Sequence, residues 1–127
     1  MQAALRTRLA TALAALVGDR VAWGERPVVL RSIRLSLVAP GYDYTHQGRT
    51  DLAYAWVQAD VFGLDQPGCW AAADALETAI EAAATVSGIR FENGFIESRR
   101  DGEPEHMDGD VRIFSTSLDF RFYWKTA

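Results

Sequence analysis

Residues 53–88 join an alternating strand pattern directly to a long helical pattern. From residue 53 to residue 63, apolar residues recur at every second position, which predicts a strand with two different faces. One face carries the small residues Ala55, Val57, Ala59 and Val61, and the other carries Tyr54, Trp56, Gln58, Asp60 and Phe62. We expect the other strands to assemble around this strand and the helix that follows it.

The helix is predicted to begin after Asp65 and to end at Gly88. Aspartate is a favoured N-cap residue, and Pro67 suits the first turn of a helix. The residues Trp70, Ala73, Leu76 and Ile80 recur at the spacing of one helical stripe. Glycine adopts the left-handed conformation after a helix at little cost, so Gly88 is the expected stop.

The composition is that of one globular domain covering residues 1–127. Apolar residues make up 49% of the chain and charged residues 24%, so a real core can form. The net charge of −4 argues against a nucleic-acid-binding face, which is usually basic. Cys69 is the single cysteine, which excludes an intrachain disulfide. No apolar run is long enough to span a membrane.

The first residues have two interpretations. Arg6 and Arg8 followed by LATALAALVG imitate a signal peptide. Leucines at helical spacing favour instead a helix of the folded protein over residues 2–17, because the stripe begins before the arginines and continues through them.

The remaining strands are predicted from alternation and from turn residues. Val21–Trp23 is a short strand, residues 28–38 form a longer one, and residues 39–51 form a long loop between strands. Residues 89–100 form one strand, in which Asn93-Gly94 is a bulge rather than a hairpin turn. Residues 101–110 form a polar loop, and residues 111–124 form a long, half-buried strand.

This order of elements predicts an α+β fold, a mainly antiparallel sheet with two helices packed on one face. The aromatic face of the central strand has two interpretations. It is either the main core or, if the helices cover the small-residue face, a surface that the long loop, a second sheet or a neighbouring subunit must cover.

No residue pattern indicates a catalytic or metal site. His46 and His106 lack partners at metal-ligand spacing, and the acidic residues of segment 101–110 lack the spacing of a calcium loop. Cys69 at a helix N-terminus is typical of a buried small residue more than of a reactive thiol. We therefore expect a protein that is not an enzyme and that needs no cofactor and no metal.

The order of several segments resembles the tail-completion family of long-tailed phages and gene transfer agents. The resemblance covers nearly the whole chain, through ALVGDRV, PVVLRSI, DYTHQGRTDL, AYAWVQADVFG, AAADALETAIEAA and VRIFSTSLDFRFYW. Two departures are the short GERP segment before the second strand and the Cys69-Trp70 pair that opens the long helix.

The resemblance implies a structural virion protein, a tail terminator. Such a protein forms a ring, expected to be a hexamer, on the tail tube, ends its polymerisation and provides the surface on which the head docks. The implied partners are copies of the chain itself, the tail tube protein and a head–tail connector or neck protein. DNA would pass through the lumen without specific binding, and no membrane is involved. The implied location is the virion, after assembly from the bacterial cytoplasm.

This role assigns residues to two surfaces. We predict contacts with subunits or partners at Tyr44, His46, Arg49 and Trp56. We also predict that an acidic loop faces the lumen and repels the phosphates of DNA, formed by Asp101, Glu103, Glu105, Asp108 and Asp110. Two alternatives are a neck or head-closure protein of the same particle, and a small α+β ligand-binding or hydrolytic domain that uses Tyr42, Tyr44 and His46.

Overall fold

The computed structural model describes residues 1–106 and 111–127. The helices are α1 (Gln2–Ala12), α2 (Ala14–Val17) and α3 (Gln66–Glu81). The strands are β1 (Val21–Trp23), β2 (Ser32–Thr45), β3 (Gly48–Gly63), β4 (Ala84–Val86), β5 (Ile89–Phe91), β6 (Phe95–Asp101), β7 (Glu105–His106) and β8 (Arg112–Thr126).

The sheet is mixed rather than wholly antiparallel. Its order is β1-β2-β3-β8-β5-β4, and β6 and β7 also pair with β8. The pairing of β1 with β2 is parallel, and every other strand pairing described is antiparallel. The prediction of a mainly antiparallel α+β sheet is therefore correct for all pairs but one.

The helices pack on the small-residue face of β3, where all four residues are fully buried: Ala55, Val57, Ala59 and Val61. Helix α1 contributes Leu5 and Leu9, and α3 contributes Leu76 and Ile80. The predicted first helix is confirmed in position, but it breaks at Leu13, so the described residues contain three helices rather than two. None of the helices in the described ranges is both long and apolar enough to cross a membrane.

The prediction of a long loop at residues 39–51 is wrong. Strands β2 and β3 continue through this segment as one hairpin, which closes in a two-residue turn at His46 and Gln47. Tyrosine and threonine favour the extended backbone, and two bulges absorb the irregular positions. Pro40 is tolerated because β1 pairs with β2 only at residues 33–35, which leaves this part of β2 at the sheet edge.

Strand β2 also begins later than predicted. Residues 24–31 form an irregular loop that returns along the edge of the sheet, so that Val28 and Val29 are exposed instead of lying in a strand. The reason is the parallel pairing of β1 with β2. The chain leaves β1 at one end of the pair and must return to the other end before it can enter β2 in the same direction.

Helix α3 begins as predicted and ends earlier. The Asp65 side chain accepts a hydrogen bond from the backbone N–H of Gly68 at 2.6 Å, which confirms the N-cap. The helix ends at Glu81, and Ala82 is already extended. At this end of the helix, the buried guanidinium of Arg8 donates hydrogen bonds to the backbone carbonyls of Ala79 and Ala82. Gly88 lies instead in the turn between β4 and β5, with φ of 78°.

The predicted bulged strand at residues 89–100 is confirmed as an interrupted strand. Both β5 and β6 pair with β8, so the chain does not reverse between them. Gly94 lies in the interruption, where its N–H donates to the carbonyl of Ile80 at 2.8 Å. A Cβ at this position would lie 2.5 Å from Cγ2 of Ile80, so the close approach of sheet and helix requires glycine.

Candidate interaction surfaces

The face of the sheet opposite the helices carries the main candidate surface. We call it the open face and define it by the outward residues of β3 and β8, which are Tyr54, Trp56, Gln58, Asp60, Phe62, Ser115, Ser117, Asp119, Arg121 and Tyr123. The β6 residues that pair beside them add Phe95, Ser98 and Arg100. Trp56 is 42% exposed and Phe95 is 50% exposed. Of the two interpretations given above, the structure therefore favours a surface that other molecules can cover.

An aromatic row crosses one end of the open face. The rings of Tyr54 and Tyr123 meet edge to face, with centroids 6.1 Å apart. Arg121 lies over the ring of Phe95 at 5.4 Å, and its Nε pairs with Oε1 of Glu97 at 2.7 Å. A shallow depression of about 280 Å³ lies along this row, lined by Tyr54, Trp56, Arg121, Phe122 and Tyr123. Aromatic and arginine side chains of this kind are enriched at protein interfaces.

A polar row crosses the middle of the open face and centres on Asp60. Its carboxylate accepts hydrogen bonds from Ser117 Oγ at 2.6 Å, from Gln58 Nε2 at 2.9 Å and from Arg34 at 2.9 Å. Burial by itself disfavours the charged carboxylate, but these hydrogen bonds and the Arg34 charge outweigh it and hold the pKa of Asp60 below its usual value. Asp60 is therefore a structural anion that ties β2, β3 and β8 together.

The charges on the open face neutralise one another. Beside the Arg34–Asp60 pair, Asp119 accepts hydrogen bonds from Arg100 and Ser98 at 2.8 and 2.7 Å. With the Arg121–Glu97 pair, the face holds three ion pairs and no excess of either sign. A neutral face with exposed aromatic rings suits contact with protein more than contact with phosphate.

The second candidate surface is the projecting end of the β2–β3 hairpin. We call residues 42–51 the hairpin arm, because β8 pairs with β3 only from Ala53 onward. Tyr44 pairs across the arm with Arg49 and is 66% exposed. The guanidinium of Arg49 lies over the ring of Tyr42 at 4.2 Å. A two-stranded ribbon of this kind is marginally stable alone in water, so a partner that covers it would stabilise it.

The four predicted contact residues are only partly brought together. Tyr44, His46 and Arg49 lie on the hairpin arm, and Trp56 lies on the open face at its base, opposite Ala39. His46 is exposed in the turn, and its side chain makes no hydrogen bond with any residue in the described ranges. The arrangement expected for a ligand-binding loop, with His46 beside a carboxylate in a deep pocket, is therefore not seen in this part of the chain.

Only residues 101–106 of the predicted acidic loop lie within the described part of the chain. Asp101 is the last residue of β6, where its carboxylate accepts hydrogen bonds from Trp70 Nε1 at 3.0 Å and from Thr116 Oγ1 at 2.8 Å. Glu105 lies in β7 and pairs with Ile113, and Glu103 is exposed between the two strands. Asp108 and Asp110 lie outside the described residues. Asp101, Glu105 and His106 pair with β8 as strand residues, which the polar residues and Pro104 of this segment did not indicate.

The described residues contain no group of three or more histidine, cysteine or acidic side chains that could hold a metal ion. Cys69 lies on the buried side of α3, where its Sγ donates to the carbonyl of Phe114 at 3.4 Å. Burial raises the pKa of this thiol to about 11, so it is protonated at neutral pH.

The structure adds one feature that the sequence analysis missed, the network around Asp60. The sequence feature that could have predicted this network is the carboxylate of Asp60, which stands between Ala59 and Val61 in a largely apolar strand. A charge in such a position requires partners when buried, and Arg34 and Ser117 supply them from the neighbouring strands.

Comparison with solved structures shows a shared fold over nearly the whole chain. A chain in the structure of the virion of a native gene transfer agent particle is 21% identical, with a TM-score of 0.59, and the match covers 98% of this chain and 96% of that one. A second solved structure is 14% identical, with a TM-score of 0.53, and covers 99% and 92% of the two chains. No protein-family model and no curated protein matches the sequence.

Proposed function

We propose that this chain is a structural protein of a tailed, phage-like particle and that it acts as a tail terminator. The observation that carries the proposal is the full-length similarity in fold to a chain of a gene transfer agent virion. The absence of a metal-binding group in the described residues and the protonated, buried Cys69 support an assembly role rather than catalysis. The chain would form a ring, expected to be a hexamer, on the last ring of the tail tube.

The hairpin arm and the open face supply the contacts in this proposal. Tyr44 and Arg49 present an exposed aromatic and cationic pair on the arm, and Trp56 continues this surface onto the sheet. Tyrosine, tryptophan and arginine carry much of the binding energy at protein interfaces. We therefore assign Tyr44, His46, Arg49 and Trp56 to contacts with neighbouring subunits, the tube protein or the neck protein.

Glu103 and Glu105 are assigned to the lumen of the ring. Both are exposed, and their segment also contains Asp108 and Asp110 in the sequence. Carboxylates beside passing DNA repel its phosphates and keep the DNA from adhering. Reversal of Glu103 and Glu105 to lysine should slow DNA ejection and leave tail length unchanged. An unchanged ejection rate in those particles would contradict the lumen assignment.

The experiment that tests the function is deletion of the gene in the producing strain, followed by electron microscopy of the particles. A tail terminator predicts overlong or ragged tails and heads that remain unjoined. Tails of normal length without heads would instead identify a neck or head-closure protein. Intact, infectious or transducing particles would refute a structural role of either kind. Complementation with the wild-type gene is the control for effects on neighbouring genes.

A further inference from the structure

The loop of residues 24–31 holds two apolar side chains out from the surface. Val28 is 94% exposed, and Val29 beside it is also exposed. The loop is anchored to the open face, because Arg26 lies over the buried ring of Phe62 at 5.5 Å. The residues that the structure describes leave both valines uncovered. Such residues mark a contact with another molecule.

Positive charge surrounds these valines. We define the basic edge as residues 20–31, which contain Arg20, Arg26 and Arg31 and a single carboxylate, Glu25. None of these three arginines forms a salt bridge within the part of the chain that the structure describes. The Nε of Arg20 instead donates to the carbonyl of Arg31 at 2.7 Å. Asp65 at the start of α3 lies with Arg31 against Gly68 and lines a depression together with Arg20 and Arg31, so Arg26 is the cation that the basic edge offers to a partner.

A surface of opposite charge lies at the other edge of the sheet. We define the acidic edge by Trp70, Asp74 and Glu77 of α3 and Asp101 of β6. Trp70 is 44% exposed, and its indole is held by the hydrogen bond to Asp101. Arg99 lies 2.7 Å from Asp74 and 3.5 Å from Glu77, so two carboxylates share one arginine, and Asp101 is a third carboxylate at this edge. The acidic edge thus combines an oriented aromatic ring with excess negative charge.

The two edges belong to opposite sides of the sheet. The basic edge leads into β2 and the acidic edge lies beside β6, with β3 and β8 between these strands. Different patches that complement each other on opposite sides of one chain join successive copies head to tail. We propose that the basic edge of one copy docks on the acidic edge of the next, with a second copy of this chain as the occupant. This inference rests on the proposed ring and names the surfaces that build it.

The contact has the composition of a specific protein interface. Val28 and Val29 pack against Trp70 at its centre, where apolar burial supplies most of the attraction. Arg26 lies at its rim and faces Asp74 of the next copy. Charges at a rim mainly fix the orientation of the partners and exclude like-charged pairings, which suits a ring that must close in one direction.

The test uses two variants that each disable one edge. Val28→Asp places a carboxylate on the basic edge, and Trp70→Asp removes the ring from the acidic edge and adds a carboxylate there. Val111→Asp is the matched control, because Val111 is also an exposed valine and belongs to neither edge. Sedimentation velocity over a range of concentrations reports the assembly state, and circular dichroism confirms that each variant is folded. Arg26→Asp and Asp74→Arg serve as second variants if either substitution prevents folding.

We expect the wild-type protein and Val111→Asp to form ring-sized assemblies, and each edge variant alone to associate at least tenfold more weakly. An equimolar mixture of Val28→Asp and Trp70→Asp should form dimers and nothing larger, because each pair retains one intact contact and two disabled edges. Wild-type protein that stays monomeric, or edge variants that assemble as the wild type does, would overturn the inference. In either case the deletion phenotype still decides the proposed function, so the two failures are distinguishable.

Discussion

The guanidinium of Arg34 donates two hydrogen bonds to Oδ2 of Asp60, at 2.9 Å from Nη2 and 3.1 Å from Nε. Arg34 belongs to β2 and Asp60 to β3, and Ser117 of β8 donates to the other oxygen of the same carboxylate. One side chain therefore links three adjacent strands across the open face. The face can stay uncovered by helices because its buried charge is paired within the sheet.

Replacement of Asp60 by asparagine should destabilise the protein. The variant keeps the shape of the side chain but removes the charge that Arg34, Ser117 and Gln58 contact. Hydrogen bonds to charged groups contribute about 1.5–3 kcal/mol each, so we expect the free energy of unfolding to fall by about 2–3 kcal/mol. Urea denaturation measures this change. Asp119→Asn is the matched control, because its half-exposed pair with Arg100 should contribute less than about 1 kcal/mol.

The same carboxylate predicts a pH dependence of stability. The pKa of Asp60 is lower in the folded protein than the value of about 3.9 typical of an unfolded chain. Its contribution is therefore fully present above about pH 4 to 5 and is lost as the pH falls through the folded pKa. The difference in unfolding free energy between wild type and Asp60→Asn should shrink as the pH falls below about 4. A difference that stays constant between pH 7 and pH 3 would contradict the ionised network.

Arg8 should be a stabilising residue although it is charged and buried. Its guanidinium donates to the carbonyls of Ala79 and Ala82 at the end of α3 and lies over the ring of Phe91 at 5.3 Å. Arg8→Met leaves these carbonyls without the donor, and we expect the unfolding free energy to fall by about 2–4 kcal/mol. Arg90→Met, which removes a surface pair with Glu92 at 3.5 Å, should cost less than about 1 kcal/mol. Equal losses in both variants would refute this role.

Cys69 should be unreactive in the folded protein. Burial raises the pKa of its thiol to about 11, so the thiolate that reacts with disulfide reagents is scarce at pH 8. We expect labelling by Ellman's reagent to be at least about a hundredfold slower in buffer than in 6 M urea, from the pKa difference to a free thiol of about 8.5. Rapid labelling of the native protein would revive the interpretation of a reactive thiol at the helix N-terminus.

The sequence predicted those elements whose pattern is local. Ala55, Val57, Ala59 and Val61 marked the buried face of β3, and Asp65 marked the start of α3, because alternation and capping depend on neighbouring residues. The early end of α3 could not be read from the sequence, since it depends on Arg8, which is 71 residues from Ala79 in the chain. Gly88, the predicted end of the helix, lies instead in the turn between β4 and β5, where its positive φ is required.

The prediction of a loop at residues 39–51 failed for a different reason. Pro40, Gly41 and many polar residues are typical of loops, and the sequence does not show that two bulges accommodate them at a sheet edge. The exposed valines of residues 24–31 were placed in a strand because alternation alone does not reveal the parallel pairing of β1 with β2. In both cases the deciding contacts join strands, and the pattern of a single segment does not contain them.

The hairpin arm should be dispensable for folding and required for assembly. Replacing residues 43–52 by Asn-Gly would close the hairpin on the pair Tyr42–Ala53, and Asn-Gly favours the two-residue turn that joins such strands. The removed residues are largely exposed, so we expect the unfolding free energy to change by less than about 1 kcal/mol. Without Tyr44 and Arg49, the shortened protein should fail to restore tail length and head joining when it replaces the wild type in the deletion strain.

The matched control keeps the length of the arm and changes only its turn. His46→Asn with Gln47→Gly has the same two-residue connection as the shortened variant but retains Tyr44, Arg49 and their pairing. It should restore tail length and head joining if the strands of the arm make the contact, and fail if His46 itself is the contact residue. Full function of the shortened variant would show that the arm is not an assembly surface, and the open face around Trp56 would then be the remaining candidate among the predicted contacts.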